Sequence, residues 1–139
     1  MDSWDALISF IEQQTENSSL SAAKRYGIKL AVEELLSNII RSNSSSLLNH
    51  SPSTVEVFRF TDPKASSSLF LQIQDNGLPF DPHFDSLDES FVDVPLHERT
   101  IGGLGLLLVK KSVDSVSYQY RNPFNVYRLL SADSLSPIA

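Results

Sequence analysis

The sequence contains no cysteine among its 139 residues. This absence excludes disulfide bonds, thiolate metal sites and a cysteine nucleophile, and it suits a cytoplasmic protein. A run of about 18 to 20 apolar residues, which a membrane span requires, is also missing. The first residues carry no basic segment ahead of an apolar one, so a signal peptide is not predicted. We therefore expect a cytoplasmic protein with no membrane partner.

Positive charge is scarce as well, with 11 Lys and Arg against 17 Asp and Glu and a net charge of −6. A general nucleic-acid binder needs a basic face, so we expect no direct contact with nucleic acid. The acidic balance does not oppose nucleotide binding, because one nucleotide requires only a few local donors and a metal ion. The length suits a single domain over residues 1–139, with a core at about residues 4–130 and a tail at residues 131–139.

Two helices are predicted near the N-terminus. Apolar residues recur at helical spacing over residues 4–14, at Trp4, Leu7, Ile8 and Ile11. After a Ser/Asn break, Ser21 is the expected N-cap of a second helix that runs to about Arg41.

The rest of the chain predicts strands, one long loop and a third helix. Alternating, β-branched or aromatic residues predict strands at residues 54–60, 69–74, 116–121 and 126–130. An apolar helix is expected at residues 104–112, after a proline-containing loop at residues 79–100. Strands in adjacent pairs indicate a largely antiparallel or mixed sheet with helices on one face. The predicted fold class is therefore α+β, a two-layer α/β sandwich.

The second helix carries a carboxylate and an amide together. Glu34 and Asn38 are four residues apart, so they lie one above the other. They fall almost opposite the centre of the helix's apolar stripe, which comprises Ile28, Val32, Leu35, Leu36, Ile39 and Ile40. Such a pair could hold a magnesium ion, or one member could orient a nucleophile while the other takes the metal. Taken alone, a solvated helix face explains the pair better.

A second candidate segment follows the second predicted strand. Asp75 at a strand end can accept a hydrogen bond from an exocyclic amine, and Gly77 lets a flat ring approach the backbone. Asp-Asn-Gly is also among the commonest tight-turn sequences, so the segment alone favours a turn.

The third candidate segment is Gly102-Gly103-Leu104-Gly105-Leu106, which opens the last helix. Glycines ahead of a helix leave backbone N–H groups free to face phosphate oxygens, and the helix dipole adds to the attraction. The segment is not a Walker A loop, because no Gly-Lys-Ser/Thr ends it. It is not the dinucleotide fingerprint either, because a long polar loop precedes it instead of a strand.

In this order, the three segments resemble the GHKL (Bergerat-fold) ATPases and, within them, the RsbW/SpoIIAB-like anti-sigma factor serine/threonine kinases. Residues 31–40 (AVEELLSNII) are similar to the N box of that family. Residues 75–82 (DNGLPFDP) are similar to its G1 box, and residues 98–106 (ERTIGGLGL) to its G2 box. Asn125 before the last strand also fits. The resemblance covers about residues 4–130 of the chain.

The resemblance implies ATP/ADP and Mg²⁺ as cofactors and gives each residue a role. Asn38 would coordinate the Mg²⁺ that bridges the phosphates. Glu34 would act as the general base or orient the attacking hydroxyl. Asp75 would bind the adenine amine, and Gly77 would leave room for the ring.

The resemblance also assigns the phosphate-binding segment. Gly103 and Gly105 would give N–H groups to the phosphates within a nucleotide-binding run that also contains Gly102, Leu104 and Leu106. Residues 79–101 would form a lid over ATP, from which Arg99 could reach the γ-phosphate.

Three departures from the family pattern stand out. Many relatives have histidine where this chain has Ser42, four residues past the asparagine of the N box. The last strand has Phe124-Asn125-Val126 in place of a Gly-Thr signature. The strand that relatives usually carry ahead of the first helix is not seen in this sequence, so a homodimer is left open.

The function implied by the resemblance is that of an ATP-dependent serine/threonine protein kinase and anti-sigma factor. Its partners would be a STAS-domain anti-sigma factor antagonist, which it phosphorylates, and a sigma factor, which it sequesters. A non-catalytic nucleotide-binding partner-switching module is the first alternative. A histidine-kinase-type ATPase domain ranks last, because His50, His83 and His97 all fall in predicted loops.

Overall fold

The structure is a computed structural model that describes residues 3–44, 54–60, 67–87 and 103–133. Helices α1 (Ser3–Glu16) and α2 (Ala22–Ser44) come first. Strands β1 (Val55–Phe60) and β2 (Ser68–Asp75) and a short 3-10 helix (Phe84–Ser86) follow. Helix α3 (Gly103–Ser112) and strands β3 (Ser115–Arg121) and β4 (Phe124–Ala132) complete the described part. Each predicted helix and strand is therefore confirmed, with shifts of a few residues at the ends.

The strands form one sheet in the order β1-β2-β4-β3, and all neighbouring strands are antiparallel. The α+β class is thus confirmed, and the described sheet is antiparallel rather than mixed. The pairing places Asp75 at the end of β2 directly opposite Val55 of β1 and Asn125 of β4. Residues paired across antiparallel strands share a face, so Asp75 and Asn125 point to the same side of the sheet.

The helices cover one face of the sheet. Leu69, Leu71 and Ile73 of β2 alternate with half-buried residues and are fully buried. They form one hydrophobic cluster with Tyr127 and Leu129 of β4 and with residues of α1, α2 and α3. Phe58 and Phe60, which lie on the opposite face, are 39% and 49% exposed. Asp75 and Asn125 therefore lie at the end of the buried, helix-covered face.

Helix α2 begins as predicted. The Ser21 side chain accepts a hydrogen bond from the backbone N–H of Lys24 at 3.4 Å, as an N-cap residue does. The Asp133 carboxylate also accepts from the N–H of Ser21, with both oxygens at 3.1 Å. The start of α2 is therefore tied to the residue that follows β4.

The predicted single stripe on α2 is wrong at two positions. Ile40, assigned to the packing stripe, is 42% exposed, whereas Asn38, assigned opposite it, is only 7% exposed. The reason is that α2 packs against α1, α3 and β4 and is therefore buried on more than one side. Gly27 allows the approach to α3, because a Cβ at this position would overlap the backbone carbonyl oxygen of Ser112.

The predicted tail beginning at residue 131 is also wrong, because β4 extends through Ala132. Ser131 pairs with Leu69 of β2 and is fully buried, so it continues the inward alternation of the strand. Residues 134–139 lie outside the described residues, as does most of the predicted lid, from residue 88 to residue 101. Within the described part, no helix is long and apolar enough to cross a lipid bilayer.

Candidate functional site

Asp75 is buried at the end of β2, with 2% of its surface exposed. Its Oδ1 accepts hydrogen bonds from the backbone N–H of Gly77 at 2.9 Å and from Nδ2 of Asn125 at 3.2 Å. Its Oδ2 is buried and has no hydrogen-bond partner among the described residues. Burial raises the pKa of the Asp75 carboxyl, and the hydrogen bonds from Gly77 and Asn125 oppose that rise. One oxygen of this carboxyl is thus satisfied by the fold, and the other is left for a donor from a ligand.

Asn125, the buried neighbour of Asp75 on β4, connects three parts of the site. Besides its bond to Asp75, its Nδ2 donates to the backbone carbonyls of Leu78 at 3.0 Å and Gly77 at 3.3 Å. Its Oδ1 accepts from the N–H of Phe80 at 3.1 Å and from the hydroxyl of Tyr118 on β3. Acceptors surround one end of the amide and donors the other, so the network fixes its orientation. We call residues 76–80, which leave β2 and contact Asn125, the stem.

A cavity lies between α2, the sheet and the stem. Asn38, Asp75 and Asn125 give it polar groups, and its apolar lining comes from Leu35, Ile39, Leu78, Phe80, Pro82, Leu106 and Tyr127. The side-chain Nδ2 of Asn38 is buried and, like Asp75 Oδ2, has no partner among the described residues. Apolar walls with a few unpartnered polar atoms suit a flat, partly polar ring.

The cavity is narrow in this structure. It has room for about one water molecule. A purine ring is larger than this space. Leu78 and Phe80 of the stem are exposed residues of its lining, at 60% and 39%.

The glycine-opened helix α3 approaches the carboxylate of α2. Glu34 is half-buried, and a Cβ on Gly105 would lie 2.9 Å from its Oε2. A residue larger than glycine at position 105 would consequently displace the Glu34 carboxylate. The first N–H groups of α3 have no acceptor within the helix, so this end suits an anion such as phosphate. The Glu34 carboxylate thus lies beside the first turn of α3.

The structure brings together most of the residues that the sequence predicts for the site. Asn38, Asp75 and Leu106 line the cavity, Gly77 is buried beside Asp75, and Glu34 lies against Gly105. Gly103 is the first residue of α3, one residue before the predicted start of that helix. Leu104 is 44% exposed and does not line the cavity.

Three residues singled out in the sequence cannot be placed relative to the cavity. Arg99 and Gly102 lie outside the described residues, and so does the side chain of Ser42. Among the described residues, no cluster of three or more His, Cys, Asp or Glu could hold a metal ion.

Asn125 fits the family pattern, but the sequence did not predict it to lie in the site. One signal was present, because its polar side chain alternates with the inward residues Tyr127 and Leu129 of β4. Its contact with Asp75 depends on the register between β2 and β4, which local sequence patterns do not determine.

A two-layer sandwich with a buried carboxylate at a strand end, an amide on a central helix and a glycine-opened helix beside them defines a nucleotide-binding domain. The sequence matches the family model of the histidine kinase-like ATPase domain over residues 2–130, and the chain belongs to this family. It is accordingly an ATP-binding domain of the GHKL superfamily. No curated protein and no solved structure matches the chain.

Proposed function

We propose that this domain is an ATP-dependent serine/threonine protein kinase and anti-sigma factor. It phosphorylates a STAS-domain antagonist and sequesters a sigma factor when that antagonist is not available. The observation that carries the kinase assignment is the position of Glu34, whose carboxylate lies against Gly105 at the first turn of α3. A candidate base therefore lies at the end of the site that suits phosphate.

The base of the nucleotide is assigned to the cavity beside Asp75. The unpartnered Oδ2 of Asp75 accepts a hydrogen bond from the exocyclic amine of adenine, which satisfies a buried acceptor that the fold leaves bare. Gly77 is buried next to this carboxyl, and the absence of a side chain leaves room for the ring. The apolar side chains around the cavity contact the faces of the purine.

The phosphates are assigned to the start of α3. The N–H groups of Gly103 and Gly105, which have no helical acceptor, donate to phosphate oxygens. The Asn38 amide is assigned to the magnesium site, because its carbonyl oxygen is a hard ligand of the kind that Mg²⁺ takes alongside phosphate and water. Its buried Nδ2 has no partner among the described residues and is free to donate to a phosphate oxygen. When bound, Mg²⁺ neutralises phosphate charge during the transfer. Arg99 is assigned to the γ-phosphate on the strength of the family resemblance.

The transfer step follows from this arrangement. The hydroxyl oxygen of a serine or threonine on the antagonist forms a bond to the γ-phosphorus, and the bond from that phosphorus to the bridging oxygen of ADP breaks. Glu34 accepts the hydroxyl proton or orients the hydroxyl for attack. Positioning and charge neutralisation supply most of the acceleration in such reactions, so the accurate placement of Glu34 by Gly105 matters more than any covalent chemistry.

A non-catalytic partner-switching module is the second candidate. Ser42 supports it, because many relatives have histidine at this position, and a second contact near the phosphates is thereby weakened. A histidine-kinase-type domain ranks below both. Of its candidate phosphoacceptors, His83 is an exposed residue with a left-handed backbone just before the 3-10 helix.

The proposal is tested by recovering the partners and searching them for phosphate. The protein is used to capture partners from native cell extract with and without ADP, and each candidate antagonist is incubated with Mg-ATP and the purified protein. We expect a phosphoserine or phosphothreonine on a STAS-domain protein, detected by mass spectrometry. Nucleotide binding without transfer to a captured antagonist would support the non-catalytic module and contradict the kinase.

A further inference from the structure

Asn125 contacts the same carboxyl that we assign to base recognition, and it does so from the side away from the bare oxygen. We propose that Asn125 is a specificity-determining residue for the purine. By donating to Oδ1 of Asp75, it holds the carboxylate as a pure hydrogen-bond acceptor, so that the site takes a 6-amino purine and rejects a 6-oxo purine. This inference rests on the proposed assignment of adenine to Asp75.

The two carboxyl oxygens of Asp75 have different hydrogen-bonding surroundings. Oδ1 already accepts from Gly77 and Asn125, so a proton on this carboxyl is carried by Oδ2. An ionised Oδ2 accepts a hydrogen bond from the 6-amino group of adenine. A protonated Oδ2 donates instead, and it then matches the 6-oxo group of hypoxanthine or guanine. The protonation state of one atom thus decides which base is complementary to the site.

Asn125 acts on that protonation state because it is one of two donors that oppose the effect of burial. Burial raises the pKa of Asp75, and the donors Gly77 and Asn125 lower it. The titratable groups near this carboxyl are Tyr118 on β3 and Tyr127 on β4, whose pKa values are both raised, so they stay neutral at pH 7. Asp81 beyond the stem interacts with both tyrosines.

The helices add no charge on the other side of the cavity. Residues of α2 and α3 that line it are Leu35, Asn38, Ile39 and Leu106, none of which is ionisable. Loss of the Asn125 donor therefore raises the pKa of Asp75 further, and Oδ2 becomes protonated at a higher pH than in the wild type. Adenine binding should then weaken as the pH falls through that raised value, while binding of a 6-oxo purine should improve.

The contacts of Asn125 are also consistent with a purely structural role, which the experiment must distinguish from a role in purine specificity. Asn125 bonds the stem through Gly77, Leu78 and Phe80, so its loss could loosen the cavity for every nucleotide alike. That purely structural effect changes the affinities for two purines by the same factor and does not depend on the ionisation of Asp75. The ratio of two affinities and its pH dependence therefore distinguish the two roles.

The test compares ADP with inosine diphosphate, which differs at the 6-position of the base. Dissociation constants are measured by calorimetry from about pH 5 to pH 9 for the wild type, Asn125→Leu and Asn125→Thr. At the acid end of this range we expect the preference for ADP to fall about tenfold in Asn125→Leu, the usual size of a lost bond to a charged group, and to recover as the pH rises. Threonine retains one donor, so Asn125→Thr should recover part of the preference. Gln119→Leu, the same kind of change on the opposite face of the sheet, should keep the wild-type ratio.

Equal losses for ADP and inosine diphosphate at every pH would overturn the inference and leave Asn125 as a structural anchor of the stem. If Asn125→Leu does not fold, Asn125→Thr decides, and a ratio equal to that of the wild type would overturn the proposal. Two other outcomes would contradict the assignment of adenine to Asp75 itself. They are a wild type with no preference between the two nucleotides, and an Asp75→Asn variant that keeps the preference for ADP.

Discussion

The two ends of the site are built differently. The end assigned to the base (the base end) comprises Asp75 and Asn125 on paired strands and Gly77 in the stem, and it is fixed by hydrogen bonds among these residues. The phosphate end (Glu34, Asn38 and Gly105) lies on two helices, where Nδ2 of Asn38 has no partner among the described residues. Strand pairing and buried hydrogen bonds preorganise the base end, whereas helix packing alone positions the phosphate end. Recognition of the base should therefore survive changes that abolish transfer.

The largest expected effect on nucleotide affinity is at the base end. Asp75→Asn replaces the bare acceptor by an amide of the same shape, and we expect the affinity for ADP to fall about 100-fold through loss of a charge-assisted hydrogen bond. Calorimetry measures the loss, with exposed Asp81→Asn as the control. An affinity unchanged within about threefold would show that the base does not bind at Asp75.

The contact between helices gives the next effect, on stability. Gly27→Ala places a methyl group against the carbonyl of Ser112, and the overlap with backbone cannot be relieved by a side-chain rotation. Alanine has a helix propensity about 1 kcal/mol more favourable than that of glycine, but the overlap outweighs this gain. We therefore expect the free energy of unfolding, measured with urea, to decrease by about 1 to 3 kcal/mol. A variant more stable than the wild type would mean that α2 and α3 lie further apart than in this structure.

A smaller effect, on the rate of transfer, tests whether the phosphate end is independent of the base end. Gly105→Ala pushes the Glu34 carboxylate away from the first turn of α3, and we expect the rate of phosphoryl transfer to fall about tenfold or more through misplacement of the base. The preference for ADP over inosine diphosphate should not change. Leu108→Ala, at an exposed position on the same helix, is the control. Loss of the base preference together with the rate would contradict the independence of the two ends.

The smallest effect is the pH dependence of the wild type. Burial raises the pKa of Asp75, and adenine requires the ionised form, so the affinity for ADP should fall as the pH decreases through that pKa. Above it, the affinity should be constant. The change should be about tenfold per pH unit at the acid end, and it should be absent in Asp75→Asn. A profile shared by both proteins would assign the titration to another group.

The fold was largely accessible from sequence because its signals are local. Alternation predicted all four described strands, and Ser21 was recognisable as a cap from its position before a helical pattern. Asp75 and Gly105 were recognisable because each belongs to a short segment with its own chemistry. The order of these segments along the chain, more than any one of them, carried the prediction of a GHKL domain, which the family match confirms.

The features that the sequence did not predict depend on tertiary packing, which local sequence patterns do not specify. Asn38 was expected opposite the buried stripe, but α2 is covered on several sides, so its amide is buried and faces the cavity. Ser131 resembles a tail residue in isolation and is buried because Leu69 pairs with it. Asn125 reaches Asp75 only through the register of β2 and β4, and no periodicity within either strand specifies that register.

The most direct test of the two-ended site is a single sample measured in two ways. In Glu34→Gln, the rate of transfer from Mg-ATP to the antagonist and the affinity for ADP are determined together, with the neighbouring Glu33→Gln as the control. We predict that the rate falls by about 100-fold or more, the usual contribution of a positioned base, while the affinity for ADP stays within about threefold. An undiminished rate, or an equal loss of rate and ADP affinity, would contradict the role assigned to Glu34.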